Sequence, residues 1–251
     1  MCIRDSIVTV PDGDNAVKIW QLEGDQWQEK VTIGHPLWVT NAQFSPDGKH
    51  LLIASFQGTV KIWRLDGGEW EEKFIIQHRY RVTNARFSPD GKYLVTVTPG
   101  DDVHHYNYAK LWELVDNQWQ ENATILHTGI VDNVHFSHDG KYLVTASRDG
   151  AARICGLEGG NWQEKATIRH SGPVANASFS CDGKLLVTAS GDCTTKICGL
   201  VGGEWQEIAT IDHSKAVTNA SFSPDYQLVT VSGDNIARIW MLKDKENDDN
   251  S

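Results

Sequence analysis

Val174 to Ile211 reads VANASFSCDGKLLVTASGDCTTKICGLVGGEWQEIATI, and the rest of the chain can be read outward from it. Val174 to Phe179 alternates apolar and polar side chains, the period of a strand covered on one face. Asp182-Gly183 is a hairpin signal, and Leu185 to Ala189 is an apolar, β-rich run suited to a buried strand. Gly191-Asp192 turns the chain into Thr194 to Cys198. Gly202-Gly203 then turns it into Trp205 to Ile211, which carries polar side chains outward. The stretch predicts four short antiparallel strands, here a, b, c and d.

The same pattern recurs along most of the 251 residues. The phrase FSPDG or a close relative starts at Phe44, Phe87, Phe136, Phe179 and Phe222, with spacings of 43, 49, 43 and 43. A run of the type Lys/Arg-Ile/Leu-Trp/Cys ends at Trp20, Trp63, Trp112, Cys155, Cys198 and Trp240. Trp followed by Gln or Glu recurs at Trp27, Trp70, Trp119, Trp162 and Trp205. One His per unit recurs at His35, His78, His127, His170 and His213. Four landmarks in one register mark a repeat array of four-stranded units. A unit of this size cannot cover both of its sheet faces, so its neighbours must do so.

The expected fold class is therefore all-β, a β-propeller of four-stranded antiparallel blades. The units run approximately over 7–33, 34–76, 77–125, 126–168, 169–211 and 212–242, the first and last incomplete. The polar stretch 243–251 reads as a disordered acidic tail. Residues 1–6, MCIRDS, fall outside the pattern and can be encoded by codons resembling a sequencing-library adapter. They are expected to be a non-native segment, excluded from fold reasoning, with the gene continuing upstream.

Composition narrows the function classes. Lys plus Arg number 23 against 33 for Asp plus Glu, a formal charge of −10, which repels phosphate backbones and makes nucleic acid a poor partner. No stretch reaches the roughly 18 apolar residues of a membrane span, and no export signal is apparent, so a cytoplasmic location is expected. Delivery into a host cell is compatible with the sequence but not legible in it. Cys2, Cys155, Cys181, Cys193 and Cys198 show neither disulfide framing nor metal-type pairs. Three glycosylation-type tripeptides begin at Asn122, Asn176 and Asn219; the last two fall in expected inner strands, and all three read as chance matches.

The pattern from residue 7 to about 242 resembles the WD-repeat family, and the phrase LEGG-x-WQEKATI is similar to bacterial repeat proteins. The Trp-Asp dipeptide itself is absent: Arg64, Glu113 and Met241 follow Trp63, Trp112 and Trp240. The resemblance implies a ring of about seven blades (six to eight), of which this chain is a truncated arc. The array ends after a strand c, and such rings commonly close with an N-terminal strand. Expressed alone, the arc is expected to be aggregation-prone.

The resemblance also implies a side-chain tetrad of His, Ser/Thr, Asp and Trp in each blade. Carried over by spacing, it comprises His35, Ser55 and Trp63; His78, Thr98 and Trp112; His127, Ser147 and Asp149; His170, Ser190 and Asp192; and His213, Ser232, Asp234 and Trp240. Gln57 stands where an Asp is expected, and Cys155 and Cys198 where a Trp is, so only the last set is complete. The Cys-bearing blades are expected to be weaker.

No catalytic residues, metal ligands or cofactor motifs are assigned. The His-Ser-Asp sets invite a hydrolase reading, but a group repeated in every blade is a building element. In Ser137-His138-Asp139 the side chains are not expected to converge. His104-His105 with Asp101 and Asp102 lacks a distant third ligand. The Trp-rich repeat is not the docking motif of quinone-dependent dehydrogenases. Cys155 and Cys198 read as packed thiols.

Positions that vary between units are free of blade packing. In the family's layout the loop after each His and the turn between strands b and c share one face. There Trp38 is the one Trp off the repeat register, and the chain's one insertion lies around Gly100 to Tyr108. The expected partner-binding residues are Trp38, Phe56, Arg79, Tyr80, Arg81, Tyr106, Tyr108 and Arg148, side-chain types that dominate interfaces. The alternative is that Trp38 folds over a neighbouring loop and the insertion is neutral. The expected function is a non-catalytic scaffold for a protein or peptide partner. The alternative is a propeller module whose activity lies in an upstream F-box, kinase or nucleotide-binding domain.

Overall fold

The structure, a computed structural model, describes residues 6–10, 15–100 and 107–241. Among them every regular element is a strand, and no helix is long and apolar enough to cross a membrane. The chain divides into two compact units, Met1–Val131 and Asp132–Ser251.

The first unit holds three sheets. One is formed by β1 (Ser6–Thr9), β2 (Ala16–Glu23) and β3 (Gln26–Gly34). The next comprises β4 (Val39–Phe44), β5 (His50–Ser55), β6 (Thr59–Asp66) and β7 (Glu69–Gln77). The third comprises β8 (Asn84–Phe87), β9 (Tyr93–Thr98), β10 (Asn107–Val115) and β11 (Gln118–His127). Ser6, assigned by sequence to the adapter segment, pairs with Gln21 in β2.

In the second unit, β12 (Val131–Phe136, starting at the unit boundary), β13 (Tyr142–Ser147), β14 (Ala151–Glu158) and β15 (Asn161–Arg169) form one sheet. The next is formed by β16 (Val174–Phe179), β17 (Leu185–Ser190), β18 (Thr194–Val201) and β19 (Glu204–Asp212). The last has three strands, β20 (Val217–Phe222), β21 (Gln227–Ser232) and β22 (Ile236–Met241). All pairings are antiparallel between chain neighbours. Six sheets of three or four strands are the blades of the expected propeller class.

Local chemistry explains each sheet. Between strands a and b, the Ser45 hydroxyl donates to Asp47 (2.6 Å), which accepts from the Lys49 amide (3.0 Å), while the His50 amide donates back to Ser45 Oγ (2.9 Å). Ser88/Asp90, Ser137/Asp139 and Ser180/Asp182 repeat this turn. Ser137 and Asp139 therefore do meet, at 2.7 Å, contrary to the expectation, but as part of a self-satisfying turn. Between c and d, Gly67 (φ 58°) and Gly68 (φ 96°) form the two-residue hairpin joining Asp66 to Glu69, both in the left-handed region that glycine adopts freely. One residue of strand d is then skipped opposite the Ile-Trp, Leu-Trp or Ile-Cys step of strand c in each of the five d-bearing sheets. This recurring bulge sharpens the twist.

In the four complete sheets strand b is buried nearly throughout (β5, β9, β13 and β17), whereas β1 and β21 are only partly buried. Within each unit adjacent sheets pack on one another. Leu52, Ala54, Val60 and Ile62 of the second sheet pack on Val82, Ala85, Phe87 and Leu94 of the third. Within the second unit, Val144, Ala146 and Ile154 meet Val174, Ala177 and Leu186. Each fully buried aliphatic contributes roughly 1.5–3 kcal/mol, so the sheets stand by mutual cover. The outer surface carries a repeated ion-pair ladder from strand c to strand d: Lys18–Glu29 (2.8 Å), Lys61–Glu72 (2.6 Å), Lys110–Glu121 (2.6 Å), Arg153–Glu164 (2.9 Å) and Lys196–Glu207 (2.8 Å).

Candidate functional site

The sheet β16–β19 shows what the recurring His does. The side chain of His170 is fully buried, with Nε2 2.7 Å from Thr188 Oγ1. Its Nδ1 lies 3.1 Å from Asp192 Oδ2 and 3.0 Å from Thr194 Oγ1. Asp192 also accepts from the Thr194 amide and hydroxyl and from the Ser171 amide. The ring thus ties the segment after strand d of one sheet to strand b and the b–c turn of the next. Its hydroxyl partner differs from the one the spacing suggested. Ser190 instead donates to the Gly172 carbonyl (3.2 Å) and accepts from the Asp192 amide.

Thr188 marks a repeat position of its own, opposite the strand-c cation. Thr9, Thr96 and Thr230 occupy it in other sheets, where they accept from the indoles of Trp20 (2.9 Å), Trp112 (2.9 Å) and Trp240 (3.0 Å). In the second sheet the position is Ile53, opposite Lys61. There, among the described residues, His35 Nε2 and Trp63 Nε1 are buried without a hydrogen-bond partner. His35 Nδ1 meets only the backbone of Leu37, and Ser55 bonds Thr59 (2.6 Å).

In the third sheet His78 Nε2 and Thr98 Oγ1 are also without a partner. The last set, complete by sequence, is not joined as a network. His213 reaches Thr195 of the preceding sheet (3.2 Å), while Asp234 is taken by Ser232, Ser214 and Arg238. His127 is buried at the end of the first unit; Ser147 and Asp149 belong to the second, where Asp149 accepts from the Ala151 amide (3.0 Å).

Electrostatics follow the geometry. Burial pushes the His170 pKa down, opposed by Asp192. At Asp192 burial opposes ionisation, but the hydrogen bonds from Thr194 and Ser171 and the nearby His170 outweigh it and hold the carboxyl well below its usual range. His78 has no such carboxylate; burial, aided by Lys110, lowers it to about 4. Burial raises Cys155 and Cys198 to about 12, which leaves them as packing thiols. The site around Cys198 is filled: Cys198 shares a buried cluster with Leu186, Phe179 and Trp205, the last only 8% exposed.

A different group of side chains faces outward from the second and third sheets of the first unit. Trp38 precedes β4 and is 65% exposed; Phe56 follows β5 and is 45% exposed. Their rings meet edge-on at 6.1 Å, and the Phe56 amide donates to the Trp38 carbonyl (2.9 Å). Trp38 therefore rests on a b–c turn, without being buried by it. Arg79, Tyr80 and Arg81 lie between β7 and β8. The Arg81 guanidinium sits 5.3 Å from the Phe56 ring centroid and that of Arg79 5.4 Å from the Tyr80 ring centroid. Gly58, at φ +83°, brings the two loops together; a Cβ there would stand 2.5 Å from the Tyr80 carbonyl oxygen.

The other expected residues sit elsewhere. Tyr108 is half-buried in β10, beside His78 and under Lys110. Tyr106, like His104, His105, Asp101 and Asp102, lies outside the described residues. Arg148 is in the second unit, where it holds Asp132 through two nitrogens (2.8–3.1 Å). Among the described residues no cluster of three His, Cys, Asp or Glu is arranged to hold a metal.

The family model described as WD domain, G-beta repeat matches residues 27–64, 70–112, 119–155, 162–198 and 205–241. The chain belongs to the WD-repeat family. No curated protein matches it. Each WD repeat is out of phase with the sheets. The match over 27–64, for instance, begins in β3 of one sheet and ends in β6 of the next. His170 bridges the joint between the β12–β15 and β16–β19 sheets in this way.

Proposed function

We propose that this chain is a non-catalytic protein-binding scaffold that engages its partner through Trp38, Phe56, Arg79, Tyr80 and Arg81. WD repeats generally act as interaction scaffolds. The observation that carries the reading is the exposed Trp38–Phe56 pair with guanidinium groups stacked beside it, on loops joined by backbone contacts. Trp, Tyr and Arg supply most hot-spot energy at protein interfaces, and loops held in place lose little entropy on binding. The His170–Asp192 pairing supports the non-catalytic reading, since His170 is fully enclosed and has its ring nitrogens satisfied by Thr188, Asp192 and Thr194. The formal charge of −10 favours a protein partner over nucleic acid.

The test is quantitative capture of partners from source cells with the wild-type chain, Trp38→Ala/Tyr80→Ala, and Trp27→Ala as a control for losing an exposed Trp elsewhere. The expected result is a partner lost at least about tenfold by the double variant and kept by the control. Equal capture by both, with unchanged melting, contradicts the assignment.

A further inference from the structure

We infer that the Trp38 face selects an acidic linear peptide, one that sets a large apolar side chain against Trp38 and Phe56 and carboxylates against Arg79 and Arg81. This rests on the proposed use of that face and adds the chemistry of its occupant. The argument is one of charge. From Lys18 to Arg238, every strand-c cation in the repeat register has a carboxylate within 2.9 Å. Arg148, on a b–c turn of the second unit, holds Asp132. Other cations among the described residues, Arg64 and Lys215 for instance, have no carboxylate partner. Arg79 and Arg81 are the unpaired ones that lie against aromatic rings, beside the exposed Trp38–Phe56 pair. Both are exposed, and among the described residues neither makes an ion pair, although Asp plus Glu outnumber Lys plus Arg 33 to 23.

Each guanidinium instead lies against an aromatic ring, an arrangement that fixes its plane while leaving its N–H groups open to an acceptor. A carboxylate matches that donor fork, and binding would complete two ion pairs that the chain leaves unmade. Trp38 and Phe56 supply the apolar half beside them. A basic peptide would gain from the overall charge of −10 but would meet repulsion at this face, so the local charges and not the net charge set the preference.

The experiment pans a random linear peptide library on the full chain and measures affinities of the enriched peptides for the wild type, Arg79→Gln/Arg81→Gln and Trp38→Ala/Tyr80→Ala. Melting curves verify that all three fold alike. Enriched peptides are expected to carry Asp or Glu beside an aromatic residue or Leu. Their binding should fall at least about tenfold in the Arg variant and weaken as salt rises from about 50 mM to about 500 mM. Replacing their Asp and Glu by Asn and Gln should weaken binding equally. Neutral enriched peptides that lose binding only in the Trp38/Tyr80 variant would overturn the acidic preference and leave the face as the binding site. Peptides indifferent to both variants, or no enrichment, would overturn both.

Discussion

The sheets β16–β19 and β4–β7 are built from the same repeat and differ in what holds their interiors. In the first, His170, Thr188, Asp192 and Thr194 form a closed set of hydrogen bonds. In the second, Ile53 replaces the hydroxyl and Gln57 the carboxylate, and His35 and Trp63 each keep a buried nitrogen without a partner. Both share a full apolar interior, with Leu52 and Ile62 buried as completely as Leu186. The difference teaches that apolar cover suffices to form a blade without the polar network, whose expected contribution is added rigidity. The less tied sheet is the one that carries Trp38 and Phe56.

The comparison can be broken most forcefully with acid. The unfolded chain protonates His78 as pH falls through about 6.5, whereas the folded chain does not until about 4. Stability is therefore lost across that window and levels off below it, by on the order of 3 kcal/mol. His35 and His170 shift in the same direction and add to the loss. Urea midpoints at successive pH values check this; His78→Phe should flatten the curve, and an unchanged slope would show that His78 is not held neutral.

Next in size is the network itself. Asp192→Ala should cost about 1–3 kcal/mol, because it removes one of the two partners of His170 Nδ1 and leaves the part-buried Thr194 amide without its acceptor. Gln57→Ala, at the equivalent exposed turn, should cost under about 0.5 kcal/mol. Equal losses in urea unfolding would remove the distinction between the two sheets.

Packing offers a gain of about 1 kcal/mol. Tyr142, first residue of β13, meets Trp205 edge-on at 5.3 Å. His50 opens β5 in the same register and borders a cavity of about 230 Å3 lined also by Phe74, Phe87 and Trp119. His50→Tyr should fill it and raise the melting temperature. Smallest is Ile53→Thr, which exchanges apolar burial for bonds to Trp63 and His35. It should fall within about 1 kcal/mol of zero, with the Trp63 indole proton becoming protected from solvent exchange.

The repeat made the fold legible, since five copies of a His, a turn phrase and a Trp cannot hold register unless each is a structural unit. The hydroxyl of the network was not legible from spacing. Thr188 and Ser190 are two residues apart on one strand and point to the same face, so counting from His170 cannot choose between them. The signal was the threonine's recurrence opposite the strand-c cation, where the indole donors of Trp20, Trp112 and Trp240 also converge. Trp38 stood out because it alone among the Trp residues is off register. Its contact with Phe56 and the stacking of Arg81 depend on loop geometry around Gly58, which periodicity does not encode. Tyr108 was misplaced for the converse reason: it is half-buried in a strand where the insertion suggested an exposed loop.

Hydrogen–deuterium exchange of the intact chain, followed peptide by peptide, compares the two sheets directly. Amides of β17 and β18 should exchange at least about tenfold more slowly than those of β5 and β6, and Asp192→Ala should bring the two pairs together. Equal protection in the wild type, or slower exchange in β5 and β6, would contradict the account.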